Sequence, residues 1–385
     1  MVYLDNNATT PLDPAVIEKM TGFLRDQFGN PSSLYPIGRQ AKESVNEARE
    51  HVARALGADK SEIYFTGSGT ESDNQAILGA LEAVPDKKEF VTSAVEHPAV
   101  QETAAYLEKK GYRVSYVPVD RTGLIDLDFL RDALTPQTGL VSVMFANNEI
   151  GTIQPVEDIV RICRDKGVPV HTDAVQAFGK VDVRVDRLGV DLLSVSAHKI
   201  YGPKGVGALY VKKGTALLPL LHGGHQERGL RAGTENTAGI VGFGEAARIL
   251  PERFGADQAR LKRLAQRLRQ GIEQTIPKVR LNGHPERRVA STLNYSFLGL
   301  EAEAVLLSLA TKEIYVSTGS ACSSESEAVS HVLLAIGLRP EIARSTVRMS
   351  LGRFNTDEDV DIVLRELPEI VDKLRKISAF DPEDA

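Results

Sequence analysis

Cysteine occurs only twice in the 385 residues, at Cys163 and Cys322. Two thiols exclude a disulfide framework and a four-cysteine zinc site, and no metal centre is expected. An excess of positive charge is missing too: 46 Lys and Arg stand against 52 Asp and Glu, giving a net charge of −6. A chain of that sign does not coat nucleic acid and is not drawn to an anionic membrane. The opening MVYLDNNATT has neither a basic nor an apolar leader region, and no apolar run is long enough to span a bilayer. A cytoplasmic protein is expected. Internal repeats and low-complexity tracts are also missing. What remains, 42% hydrophobic and 25% charged residues, is the composition of a well-packed globule. At roughly 150 residues per domain, the length predicts two domains.

Between Ser61 and Tyr210 short apolar runs alternate with amphipathic stretches, and each run stops at polar residues. Residues 63–65 lead into Gly67-Ser68-Gly69-Thr70, and 90–92 into Glu96-His97. Residues 140–144 lead into Asn147-Asn148-Glu149, 168–171 into Thr172-Asp173, and 192–195 into Ser196-Ala197-His198-Lys199. Strands alternating with helices of this size predict an α/β protein with a mostly parallel sheet. Ligands bind such sheets at the carboxyl ends of the strands, where these polar residues gather. Residues 214–236 are glycine-rich and read as loop, and 256–275 as a helix entering a second unit. That unit has strand-like pieces at 279–281, 293–297 and 347–350. Its last helix, 357–376, has Thr356 as a predicted N-cap ahead of three acids.

Lys199 stands at a strand end, before the small-residue run Gly202-Pro203-Lys204-Gly205. An arbitrary lysine is a solvated surface residue, but one placed here is suited to joining a carbonyl cofactor. Asp173, read blandly, is a helix N-cap; read chemically, it is the carboxylate that keeps a pyridine nitrogen protonated, with Gln176 within reach of the ring hydroxyl. His97 falls in the same row and suits ring stacking and proton transfer. Residues 67–72 put small residues at a helix start, where an anion binds. The same turn would serve a dinucleotide fold, although Ser72 stands where a third glycine belongs. Cys163 lies on a predicted amphipathic helix and reads as structural. Cys322 lies in the polar stretch Ser317-Thr318-Gly319-Ser320-Ala321-Cys322-Ser323-Ser324, an unusual place for a free thiol. It reads as a nucleophile that visits the cofactor and then a partner.

From Tyr3-Leu4-Asp5-Asn6-Asn7-Ala8-Thr9-Thr10 to Val347-Arg348-Met349-Ser350-Leu351-Gly352-Arg353 the chain resembles the class I cysteine desulfurases of the NifS/IscS type. These are fold-type I pyridoxal-phosphate enzymes. The resemblance implies a large domain (12–255) with a mostly parallel seven-stranded sheet. It also implies a smaller α+β domain (1–11 plus 256–385) that carries Cys322. Lys199 would hold pyridoxal 5'-phosphate, Asp173 its ring nitrogen and Gln176 its ring oxygen. Gly69, Thr70, Ser196 and His198 would bind the phosphate, joined by Thr234 from the second subunit of a homodimer. Asn148 and Arg348 would hold the substrate carboxylate, Arg348 bidentately. Lys199, His97 and Cys322 would turn L-cysteine into L-alanine and a persulfide on Cys322. Acceptor or scaffold proteins would then take the sulfur for iron–sulfur cluster assembly or for tRNA or DNA thiolation. His225, Leu230 and Val329 depart from the family pattern, at positions that carry no chemistry. The alternatives are a selenocysteine lyase, which would not depend on Cys322; a nicotinamide dehydrogenase, which leaves Lys199 without a role; and a sulfur-carrier scaffold, which leaves the Lys199–Asp173 pair without one.

Overall fold

The computed structural model describes residues 1–318 and 329–378. A seven-stranded sheet runs in the order Ile63–Thr66, Gly207–Val211, Leu192–Ser196, Val170–Asp173, Thr138–Ser142, Glu89–Ser93, Arg113–Val117. Gly207–Val211 is antiparallel to both neighbours, and the other pairings are parallel. Every residue of Leu192–Ser196 and Gly207–Val211 is buried. Near-continuous burial is what helices on both faces of a sheet require, and it explains why these strands show as apolar runs rather than alternations.

A second sheet is antiparallel, with Thr292–Phe297 between Thr346–Ser350 and Val279–Leu281. Its apolar core takes in Val2 and Leu4 from the chain start alongside Leu293, Val347, Leu268 and Leu367. The segment after Leu4 then runs from this core into the edge of the large sheet. Thr10 N–H donates to the His198 carbonyl at 3.0 Å, and Asp13 N–H to that of Tyr201 at 2.9 Å.

The expected helix at 256–275 is longer: it spans Thr237–Thr275 and is capped by Asn236, whose side chain accepts from Gly239 N–H. Pro251 lies inside it. Leu250 packs in the core under the large sheet, and Leu261 in the core of the second sheet. One helix therefore serves both cores, and its apolar stripe is interrupted where it passes from one to the other. The predicted Thr356 cap is present as a full capping box with Asp359. Among the described residues no helix is long and apolar enough to cross a membrane.

Candidate active site

A cavity of about 600 Å³ opens at the carboxyl edge of the large sheet. Gly69, Thr70, His97, Asn148 and Asp173 line it, as do Gln176, Ser196, His198, Lys199 and Arg348. Strand ends supply Asp173 and Ser196, and the turn Ala197–Lys199 carries His198 and Lys199. Thr234 is not among these residues. It lines a separate cavity of about 140 Å³ with Gly67 and Arg231. Cys322 lies outside the described residues. Cys163 is buried on the helix Val156–Asp165, and burial, reinforced by Asp191, pushes its pKa up to about 12. That is an inert thiol, as its helical position predicts.

The helix Gly69–Glu82 starts at the cavity wall with Ser68 as its cap, the Ser68 hydroxyl accepting from Glu71 N–H at 3.1 Å. A Cβ at position 69 would stand 2.8 Å from Val175 Cγ2, so only glycine allows this close approach. His97 caps the helix Pro98–Lys109, its Nδ1 accepting from Ala99 N–H at 3.1 Å. In the neutral ring the proton therefore sits on Nε2. Burial and the charges of Lys199 and His331 press the His97 pKa down to about 4, so the ring is neutral at pH 7. Asp173 accepts from Val175 N–H at 2.8 Å. Burial raises its pKa to about 6, against the opposing pull of that N–H and of Lys199.

Several contributors went unseen in the sequence. Asn7 is central: its carbonyl accepts from Lys199 Nζ and, at 2.8 Å, from Gln176 Nε2. The Lys199 amine also donates to the Ala8 carbonyl at 2.8 Å. Arg348, buried in the cavity wall, pairs with Asp5 at 2.6 Å and donates to the Asn148 carbonyl at 3.1 Å. The signal was the polar run Asp5-Asn6-Asn7 immediately after an apolar start, a place where buried polar groups must find partners.

Beneath the cavity, His171 is wholly buried, bonded to Ser142 Oγ at 2.8 Å and to Ser194 Oγ at 2.9 Å. Its Nε2 lies 3.6 Å from Asp73 Oδ1, yet the two do not form an ion pair. Burial drives the Asp73 pKa well above the usual carboxylate range and the His171 pKa down to about 3, so the histidine is neutral at pH 7 and does not supply the cation an ion pair needs. The folded chain thus refuses a proton at His171 that the unfolded chain accepts below pH 6.5. The stability this histidine contributes is complete above pH 6.5 and drains away as the pH falls from there toward 3. The stability gap between wild type and His171→Gln is expected to narrow by about 2 kcal/mol between pH 7 and pH 5. Urea unfolding of the cofactor-free proteins at the two pH values checks this, and a constant gap refutes it.

A mostly parallel α/β sheet with a half-buried lysine and a buried carboxylate converging at its carboxyl edge defines a class of enzymes that work on a small, cofactor-held substrate. Comparison with known proteins sharpens this. The aminotransferase class-V family model matches residues 2–363, and the chain belongs to that family. It is 51% identical over 384 residues to a cysteine desulfurase IscS of Methanosarcina thermophila, covering 100% of this chain and 95% of that protein. A solved NifS-like protein superposes with a TM-score of 0.92 at 41% identity, covering 97% of this chain and 100% of that one. A structure described as SspA in complex with cysteine superposes with a TM-score of 0.82 at 38% identity, covering 92% and 100% respectively. The fold is fold-type I of the pyridoxal-phosphate enzymes.

Proposed function

We propose that the chain is a cysteine desulfurase that converts L-cysteine to L-alanine and carries the released sulfur as a persulfide on Cys322. The observation behind this is the meeting of Lys199, Asp173 and His97 in one cavity, in a chain half identical to a named cysteine desulfurase. The chemistry of the donor set fits pyridoxal 5'-phosphate. An amine (Lys199), a carboxylate (Asp173), an amide (Gln176) and a glycine-lined helix start at Gly69 share one wall, and a Cβ at position 69 would close the cradle. When bound, that group supplies the electron sink that makes the substrate Cα–H acidic.

The residues divide the remaining work. Lys199 Nζ, aimed by the Asn7 and Ala8 carbonyls, holds the cofactor and then moves the Cα proton. Asp173 keeps the ring nitrogen charged, and Gln176 donates to the ring oxygen. Gly69, Thr70, Ser196 and His198 hold the phosphate, where N–H groups at the start of the 14-residue helix Gly69–Glu82 complement its charge. Arg348 and Asn148 take the substrate carboxylate, which competes with Asp5 for the guanidinium. Neutral His97 presents Nε2–H at the cavity and passes a proton to carbon, its Nε2 being reprotonated by the Lys199 ammonium that carries the Cα proton. At Cys322 a thiolate attacks the substrate sulfur: the S–S bond forms, the C–S bond breaks, and the carbon keeps the electron pair until protonated. Acceptor or scaffold proteins take the sulfur onward, in iron–sulfur cluster assembly or other sulfur transfer.

The working unit is a homodimer that divides into a large domain (12–255) and a small one (1–11 plus 256–385). Phe28 and Leu34 are 83% and 89% exposed, and Leu24, Tyr35 and Ile37 beside them are exposed too. Such a row is costly to leave in water and suits burial against a second copy. A second copy is also what would bring Thr234 to a phosphate. Purified yellow protein is mixed with L-cysteine, and intact mass and alanine are measured in the same tube. One added sulfur mapping to Cys322, with matching alanine, is expected. Cys322→Ser should lose the adduct and keep the colour. An alanine yield with no adduct on the wild type would remove Cys322 from the reaction.

A further inference from the structure

We propose that Lys180 is a positioning residue whose buried amine fixes the Gln176 amide, so that its N–H2 group, not its carbonyl, faces the cofactor's ring oxygen. The inference rests on the role given to Gln176 above. Lys180 Nζ donates to Gln176 Oε1 at 2.5 Å and to Asn7 Oδ1 at 2.7 Å. Independent bonds orient both acceptors. Asn7 Nδ2 donates to the Asn148 carbonyl at 3.1 Å and to Thr292 Oγ1 at 3.0 Å, which leaves Asn7 Oδ1 for Lys180. Gln176 Nε2 donates to the Asn7 carbonyl at 2.8 Å.

Rotating the Gln176 amide by half a turn would set its N–H2 against the Lys180 amine and its carbonyl against the Asn7 carbonyl. Two hydrogen bonds would become two repulsive contacts in a buried site, where unmade bonds are expensive. The Asn7 bond alone is a weak restraint, because that carbonyl also serves Lys199 and a ring oxygen competes for the same Gln176 N–H. The Lys180 contact lies on the amide's other end and is untouched by that competition. Burial and the charges of Lys199 and Arg348 hold the Lys180 pKa well below the ordinary lysine value. Charged or not, the amine has an N–H for each acceptor. The titratable or charged groups near Lys180 are Lys199, Arg348 and His198, with Tyr201, Asp257 and Arg353 lining the same small cavity, and the test leaves all of them intact.

An N–H aimed at the ring oxygen disfavours a proton on the nearby nitrogen that joins Lys199 to the cofactor. It therefore lowers the pH at which the visible band of the yellow holoenzyme titrates. That midpoint is read by absorbance for wild type, Lys180→Met, Lys180→Gln, Gln176→Ala and the Gln176→Ala/Lys180→Met pair. Lys180→Met is expected to raise it by roughly one pH unit. Lys180→Gln keeps an N–H donor without the charge and should stay near wild type, and the pair should match Gln176→Ala alone. An unchanged midpoint in Lys180→Met overturns the proposal. So do equal shifts in the Met and Gln variants, or additive shifts in the pair, since Lys180 would then act through its charge. If Lys180→Met does not hold the cofactor, Lys180→Gln decides, and a wild-type-like midpoint is required of it. Wild-type protein that stays colourless with pyridoxal phosphate would instead refute the underlying reading.

Discussion

Lys199→Ala is expected to abolish alanine formation from L-cysteine, with a loss of at least about 10⁴-fold in turnover. The size of the effect follows from two tasks performed by one amine. Lys199 Nζ is held by the carbonyls of Asn7 and Ala8, so its position is set by the chain start and not by its own flexible stem. In the proposed reaction it would anchor the cofactor to the protein and, as a base, would move the Cα proton over a short, fixed path. Truncation removes both, and the neighbouring bases are engaged elsewhere: His97 is neutral and serves as a cap, and Lys180 is committed to Asn7 and Gln176. Because the removed atoms face a cavity, the fold should survive. Two measurements separate the chemical loss from misfolding: the urea midpoint should stay near wild type, and added ethylamine should restore part of the alanine rate. A variant that retains a tenth of wild-type turnover would remove Lys199 from the reaction.

What could be read from the sequence, and what could not, divides along physical lines. The strand ends were legible because a buried parallel strand is an unbroken apolar run, and the first polar residues after it mark the ligand edge. Thr70, His97, Asn148, Asp173 and Lys199 all came from that rule, and all line one cavity. Gly69 was legible as part of a turn, but the reason it must be glycine, the approach of Val175, is tertiary. Asn7, Asp5 and Lys180 escaped because their contacts span long stretches of chain. Asn7 meets Thr292, and Asp5 meets Arg348. Lys180 reads on paper as a solvated charge, and only the folded chain shows its amine between two amide oxygens. The long helix was cut short in the reading because one helix packing on two cores does not keep a single stripe. The reading of 214–236 as plain loop likewise missed what holds it down.

That anchor leads to the largest expected change in stability. Glu227 is buried in the glycine-rich segment, and its carboxylate grips Arg49 at both ends, Oε2 to Nη1 at 2.6 Å and Oε1 to Nη2 at 2.7 Å. Oε2 also accepts from Phe65 N–H at 2.9 Å, and the guanidinium lies 4.7 Å from the Phe65 ring centre. The backbone yields to make this grip: Glu227 and Arg228 both sit at positive φ, 47° and 57°, where side chains other than glycine are strained. Glu227→Ala leaves the Arg49 charge buried without its partner and the Phe65 N–H without its acceptor. The expected cost is about 3–5 kcal/mol, read as a lower urea midpoint. Replacing both partners, in Arg49→Met/Glu227→Met, removes the charge along with its partner and should recover the part of the loss due to the orphaned charge, because a buried ion pair gains little over well-packed apolar groups, while the Phe65 N–H stays without its acceptor. The same segment carries Thr234, and Arg231 ties it a second time through Glu71 at 2.8 Å. In the proposed dimer this segment reaches the partner's phosphate site, so Glu227→Ala should also weaken cofactor retention while the Met pair restores it. Equal destabilisation by the single and double changes would mean that the pair itself, and not the relief of an orphaned charge, holds the segment in place.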